Sequence, residues 1–262
     1  MSSGNGRHLI RPRVGGMPDD TGRRGGVDRR GFLRTAGGLL VSSGLLAACD
    51  SRGPQSASRL LAYAERKNEA LERRIFRHTA MGEAKPGVKV AGDAFPNYHV
   101  ADEVPVWDVA EKGAWALAIG GLVRTPLTIS LEALMAMPHV TQRVPHFCVE
   151  GWTAVADFTG VRVRELAALV GAHPDAAYVD FASFDDGYHE SWDRASAEHE
   201  QTLIVYAKDG QLLSPAYGAP ARVHSPVKLG YKNTKYLTTI TFMAERNGGY
   251  WSDEGYEWYG GT

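Results

Sequence analysis

The chain has 262 residues, a formal charge of −1 at neutrality, and 44% hydrophobic and 23% charged residues, an ordinary globular composition. Its charge is unevenly placed: the first 48 residues carry eight of the 29 Lys and Arg but only three of the 30 Asp and Glu. The remaining 214 residues hold 21 basic against 27 acidic groups, which excludes the basic footprint of a nucleic-acid binder and suffices for one domain with a real core.

Asp28-Arg29-Arg30-Gly31-Phe32-Leu33-Arg34 precedes an uncharged apolar run from Thr35 to Ala48. A basic stretch before a short apolar one is the pattern of a signal peptide, too short for a permanent membrane span. Adjacent arginines followed by Phe-Leu resemble a twin-arginine signal. Leu46-Ala47-Ala48-Cys49 resembles a lipobox, with cleavage before Cys49 and acylation of its sulfur; an uncleaved N-terminal anchor is the alternative. Acylation would tie the chain to a membrane surface through Cys49 and leave Cys148 as the free thiol of the mature protein. Twin-arginine export carries folded proteins, which points to a cofactor inserted beforehand. Residues 1–48 thus read as signal, 49–94 as tether and helix, 95–247 as the main domain and 248–262 as an aromatic tail.

Ser51 to Ser58 reads as a tether, with Ser58 capping a helix from about Arg59 to Met81. Leu60, Leu61, Ala64, Leu71, Ile75 and Phe76 give that helix an apolar stripe suited to packing. Gly82 to Asp93 is a loop. Trp115–Val123 reads as a strand, Thr128–Met137 as a short helix capped by Ser130, and Gln142–Trp152 as a strand. Val163–Val170 is a helix closed by Gly171, and Tyr178–Phe184 a strand running into the turn at Asp185-Asp186-Gly187-Tyr188. Leu203–Ala207 and Gln211–Ser214 form a hairpin. Short helices and strands without regular βαβ spacing predict an α+β fold.

Two stretches carry chemistry. In Pro145-His146-Phe147-Cys148-Val149-Glu150-Gly151-Trp152, strand alternation places His146, Cys148 and Glu150 on one face. A thiolate on a rigid element is a soft ligand for a transition metal. The same thiol could instead be a buried inert side chain, a nucleophile with His146 or His189 as base, or part of a zinc site. Alternate strand residues rarely close a tetrahedral shell. The second stretch, Pro220 to Lys235, packs Arg222, Lys228, Lys232 and Lys235 beside Gly230 and Asn233 in an otherwise acidic protein. It reads either as a solvated surface loop or as a phosphate cradle of main-chain N–H groups and cations.

His146-Phe147-Cys148-Val149-Glu150-Gly151-Trp152, Asp186-Gly187-Tyr188, Gly218-Ala219-Pro220-Ala221-Arg222 and Gly230-Tyr231-Lys232-Asn233-Thr234-Lys235 together resemble the molybdopterin-binding domain of the sulfite oxidase superfamily. The similarity runs in order from about Phe95 to Phe242. It is strongest to small exported bacterial members that include the catalytic subunit of periplasmic methionine sulfoxide reductase. The resemblance implies a domain of mixed sheets with short helices, binding a molybdenum-molybdopterin cofactor. It implies that Cys148 is the protein ligand of the metal and that Arg222, Asn233, Thr234 and Lys235 hold the pterin phosphate and nearby polar atoms. It places Ser183 and Tyr217 beside the cofactor, and Tyr98 and His99 on the segment through which it enters. The aromatic tail, from Gly249-Tyr250-Trp251 to Trp258, matches the same members and would cover the core or offer a partner surface.

Sulfite oxidases place an arginine shortly after the ligand cysteine, where this chain has Glu150-Gly151-Trp152. A carboxylate there repels a dianion. The expected activity is therefore oxygen-atom transfer from a small S-oxide or N-oxide, with Glu150 as a proton donor or a structural carboxylate. The sequence has no Cys-x-x-Cys-His haem motif. Electrons must come from another protein, a membrane haem subunit or a cytochrome. The competing expectations are a Cys148-dependent thiol enzyme and a non-enzymatic lipoprotein binding module.

Overall fold

The computed structural model describes residues 55–76, 97–185 and 187–262. The expected signal, Cys49, the first part of the tether and the 82–93 loop lie outside the described residues. The chain divides into two compact units, Met1–Ala62 and Tyr63–Thr262, and the side chains discussed below belong to the second.

Helix α1 (Gln55–Ile75) begins before Ser58, which therefore sits inside the helix and does not cap it. Gln, Ser and Ala after Pro54 can all continue a first turn, so nothing delays the start. Most of the apolar stripe is not buried: Ala64, Leu71 and Ile75 are exposed, and Phe76 is half-buried beside Gly261. Charge holds this helix instead. Arg246 reaches Glu69 at 3.3 Å and also pairs with Glu65, while Arg73 bridges Glu69 at 2.6 Å and Asp193 at 3.5 Å.

A short helix, α2 (Val109–Lys112), is capped by Asp108 and leads to β1 (Ala116–Gly121). Strand β2 (Leu127–Ser130) pairs back on β1. Ser130 caps α3 (Leu131–Ala136) as expected, its hydroxyl accepting from the Ala133 amide at 3.2 Å. Thr128 and Ile129 are strand, not helix, because Ile129 finds its partner in Leu117 across the ladder. Strands β3 (Val140–Phe147) and β4 (Thr153–Arg162) form a hairpin, and α4 (Val163–Val170) ends at a left-handed Gly171. Then follow β5 (Tyr178–Ser183), β6 (His189–Asp193), α5 (Arg194–Ala197), β7 (Leu203–Lys208) and β8 (Gln211–Leu212). The chain closes with β9 (Arg222–His224), β10 (Leu237–Met243) and α6 (Tyr250–Asp253).

One sheet runs β2-β1-β10-β5-β6, with β1 and β10 parallel; the other runs β3-β4-β7-β8, with β9 also on β7. This is the mixed-sheet α+β architecture the sequence predicted. Alternation along β7 sends Ile204 and Tyr206 into the main core, shared with Leu117, Phe181, Trp192, Ile240 and the inner face of α4. Leu203 and Val205 point the other way, into a smaller cluster with Val144, Ala156 and Phe158. No described helix is long and apolar enough to cross a membrane.

Two of the four cations from Arg222 to Lys235 are structural. Lys232 pairs with Glu190, both side chains 0% exposed, and Lys228 meets Asp193 at 3.2 Å and the Tyr259 carbonyl at 2.6 Å. The solvated-loop reading of this stretch therefore fails. Glu190 also accepts from the Trp251 amide at 3.0 Å and the Ser252 hydroxyl at 3.2 Å. Burial pushes the Glu190 carboxyl up and the Lys232 ammonium down, against the attraction each exerts on the other. Removing one member leaves an uncompensated charge in the core. Lys232→Met or Glu190→Leu alone is expected to cost about 3–5 kcal/mol in chemical denaturation, and the double replacement less than either. Near-zero losses in the single variants would show that the pair does not hold this junction.

Candidate active site

Strand β3 stops at Phe147, so Cys148 opens the turn of the β3–β4 hairpin; it does not lie within a strand. Its amide donates to the Trp152 carbonyl at 2.9 Å, and the Gly151 amide donates back to the Cys148 carbonyl at 3.0 Å. The turn, not strand alternation, carries Glu150 toward the thiol: its Oε2 lies 3.9 Å from the Cys148 Sγ. That oxygen also accepts from the Tyr98 hydroxyl at 2.9 Å and the Trp152 indole N–H at 3.0 Å. These bonds, Trp152 first, hold the Glu150 carboxyl below its ordinary range. Glu150 is thus an ionised acceptor, poorly suited to donating a proton. Burial pushes the Cys148 thiol up.

His146 departs from its neighbours. It is buried, its ring packed between Trp152 (centroids 5.8 Å) and His224 (5.4 Å). Burial, then Arg222 and Lys235, lowers it to about 3, so the imidazole is neutral. Gly230 lies against it: a Cβ there would come within 2.7 Å of Nε2, on a side chain with no room to yield. His189 is engaged with Asp180 at 2.8 Å and does not line the cavity. A raised thiol beside a carboxylate, without a cationic partner, is not an activated nucleophile. Among the described residues no three His, Cys, Asp or Glu side chains converge on a metal position, so the zinc alternative has no shell.

The hairpin turn opens onto a cavity of about 370 Å³, within the range of small-molecule and cofactor sites. Its inner end holds Arg222 and Lys235. Arg222 is buried and fixed by the carbonyls of Tyr217 (3.3 Å) and Asn233 (3.2 Å). Burial lowers its guanidinium to about 10. Lys235 donates to the Ala216 carbonyl at 3.2 Å. Burial, then repulsion from Arg222, lowers it to about 7, and Asp185 only partly offsets this. Gly218 makes room for the Lys235 stem: its φ is +97°, and a Cβ there would meet the Lys235 Cβ at 2.8 Å. Among the described residues neither cation forms an ion pair with a carboxylate. Behind them, the buried hydroxyls of Thr234 and Tyr236 have no hydrogen-bond partner among the described residues.

The remaining expected residues divide. Tyr98, His99 and Tyr217 line the cavity. Asn233 reaches it too, but its side chain is spent on the loop, accepting from the Ser225 amide at 2.6 Å and donating to the Lys228 and Leu229 carbonyls. Ser183 does not line the cavity; its hydroxyl accepts from the Asp185 amide at 2.8 Å. The tail splits as well, with Trp258 and Tyr259 in the core and Trp251 and Tyr256 on the cavity wall. The sequence reading missed Asp185, whose two oxygens take the Val100 and Ala101 amides at 2.9 and 3.0 Å and so pin the segment bearing Tyr98. It also missed Tyr236. Asp185 sat in what read only as a turn, and Tyr236 had no signal beyond following Lys235.

A buried Arg222, a half-buried Lys235, the unsatisfied Tyr236 hydroxyl and a thiol, all lining one cavity, fit a large anionic cofactor that also offers a soft metal, whereas Thr234 lies behind the lining. They define an oxidoreductase site of the molybdopterin class. Residues 102–251 match the oxidoreductase molybdopterin binding domain family, and the chain belongs to that family; its cofactor is molybdenum-molybdopterin, and the resemblance to the sulfite oxidase superfamily holds. The chain is 37% identical over 238 residues to a candidate protein-methionine-sulfoxide reductase subunit of Azospira oryzae, covering 89% of this chain and 88% of that one. It is 31% identical to an uncharacterised oxidoreductase of Bacillus subtilis, over 64% of this chain and 83% of the relative. A match to the catalytic subunit of a protein-methionine-sulfoxide reductase from Ralstonia nicotianae is 32% identical and spans 49% of this chain and 44% of that one.

An anion at the inner end would need Lys235 protonated. Sulfate, whose own charge is constant near neutrality, is expected to bind the cofactor-free chain several-fold more weakly at pH 8.5 than at pH 6, because Lys235 loses its proton around 7. Titration calorimetry showing no pH dependence would remove Lys235 from the anion site.

Proposed function

We propose that this chain reduces S-oxides, and by the same chemistry N-oxides, by removing their oxygen with two electrons and two protons, releasing the sulfide or amine and water. The observation that carries this reading is the ionised Glu150 carboxylate 3.9 Å from the Cys148 sulfur. It makes the approach to the reacting centre hostile to sulfite and neutral toward an uncharged oxide. The names of the relatives from Azospira and Ralstonia point the same way.

Cys148 would hold the metal through its thiolate, and Arg222 and Lys235 would hold the phosphate of the pterin, with the Thr234 and Tyr236 hydroxyls supplying further hydrogen bonds. When bound, the cofactor supplies the two-electron redox chemistry that strips oxygen from the substrate. The chain does the rest. The rigid hairpin turn fixes the sulfur, His146 and Gly230 close the wall beside it, and Glu150 orients the Tyr98 and Trp152 rings at the opening. Protons enter from water at that opening, where Tyr98 and Glu150 are exposed, since Glu150 has none to give. Electrons come from an external electron-transfer protein, a membrane haem subunit or a cytochrome. Export by the twin-arginine route and a lipid on Cys49 would hold the enzyme on the membrane, on the periplasmic or cell-surface side, near such a partner.

Holoenzyme with a reduced dye as donor is expected to reduce methionine sulfoxide or dimethyl sulfoxide and to leave sulfite untouched. Sulfite turnover exceeding S-oxide turnover would reverse the assignment. Cys148→Ala should lower turnover by at least about 100-fold while the protein stays folded. Arg222→Ala and Lys235→Ala should lower molybdenum content by elemental analysis, and unchanged content in both would place the phosphate elsewhere.

A further inference from the structure

The cavity is built in two chemically opposite halves. Its inner half carries the cations, buried Arg222 and half-buried Lys235. Its opening is aromatic and anionic. Tyr98 is 58% and Tyr256 41% exposed, although both line the cavity together with Trp152, Tyr231 and Trp251. Large rings left on a surface around a concavity mark a binding site more often than a core.

These rings are held in place. Tyr98 and Trp152 stack with centroids 6.3 Å apart, and their polar edges both donate to the same Glu150 oxygen. On the tail side Trp251 and Tyr256 lie 5.1 Å apart and Tyr231 and Tyr256 5.4 Å apart. The Tyr256 amide donates to the Trp251 carbonyl at 3.0 Å, and the Trp251 amide is anchored on Glu190. No lysine or arginine ring contact occupies the faces of Tyr98, Tyr231, Trp251 or Tyr256 among the described residues.

Aromatic faces around a carboxylate attract a cation, best of all a methylated one whose charge is spread over its methyl groups. An S-oxide or amine N-oxide is dipolar: its heteroatom carries the positive end and its oxygen the negative one. We propose that Tyr98, Tyr231, Trp251, Tyr256 and Glu150, with Trp152 backing Tyr98, form a recognition box for the positively polarised, methyl-bearing end of the substrate. This deepens the S-oxide reading and rests on it. The box turns the substrate so that its oxygen points inward, toward the cationic half and Cys148. It also ranks substrates: methyl sulfoxides and methylated N-oxides bind ahead of anionic oxides of equal size.

Choline and 3,3-dimethylbutan-1-ol share one shape and differ in charge, so they isolate the effect. Titration calorimetry on holoenzyme is expected to give choline at least about tenfold tighter binding than the neutral isostere. Tyr256→Ala and Trp251→Leu should each erode that preference severalfold and raise the KM for dimethyl sulfoxide, with molybdenum content at the wild-type level. Tyr256→Phe should retain the preference, and Glu150→Gln should reduce it. Equal binding of the two probes, or tighter binding of the alcohol, would overturn the box. The activity is judged separately: a choline preference on holoenzyme that reduces no S-oxide would uphold the box and sink the reductase, whereas S-oxide turnover without the preference would do the reverse.

Discussion

The ion pair between Lys232 and Glu190 is the contact on which the site depends. Two opposite charges with 0% exposure are an expensive way to join two segments, and each would be intolerable alone. Their position explains the choice. Lys232 belongs to the loop that also carries Asn233, Thr234 and Lys235, while Glu190 sits on β6 and accepts from the tail at Trp251 and Ser252. One carboxylate therefore locks the loop bearing Lys235 and the aromatic wall to the same strand. Apolar contacts would bury comparable surface, but they would not fix direction, and here direction sets both the inner end and the opening of the cavity.

The four cations of this stretch look alike in sequence and do different work. Lys228 and Lys232 meet Asp193 and Glu190 and become part of the core. Arg222 and Lys235 donate to carbonyls and, among the described residues, form no ion pair; burial lowers them to about 10 and about 7, with Asp185 offsetting part of this at Lys235. A protein tolerates such an arrangement when an anion normally completes it. A count of basic residues shows that a cluster exists, but only the placement of the acids shows which members are available.

The same limit governs what the sequence revealed. Period-2 and period-3.6 patterns marked most strands, α4 and its Gly171 stop, and Ser130 as a cap, because those signals are local. The thiol's significance was legible from its isolation and its neighbours. Its setting was not: alternation from His146 through Glu150 resembles a strand, yet Gly151 lets the chain turn, with φ +88°, and the tight hairpin returns Glu150 to the sulfur. The outward stripe of α1 misled for a similar reason, since Glu69 and Arg73 found charged partners far along the chain at Arg246 and Asp193. Asp185 and Tyr236 stayed hidden because their roles depend on contacts across sheets, which no local pattern encodes.

The opposed halves of the cavity bear on how one scaffold serves related chemistries. In the proposed function the cations Arg222 and Lys235 would answer to the cofactor's charge and have no reason to change with substrate. Glu150, however, two places after Cys148, lies 3.9 Å from its sulfur and beside the opening. An arginine's positive charge on that turn would draw anions inward; the carboxylate here repels them and instead uses its lone pairs to stiffen Tyr98 and Trp152. A change of sign on a single hairpin turn can thus redirect substrate choice without disturbing Arg222 and Lys235, because Glu150 makes no contact, among the described residues, with either cation or with the Lys232–Glu190 pair that supports them.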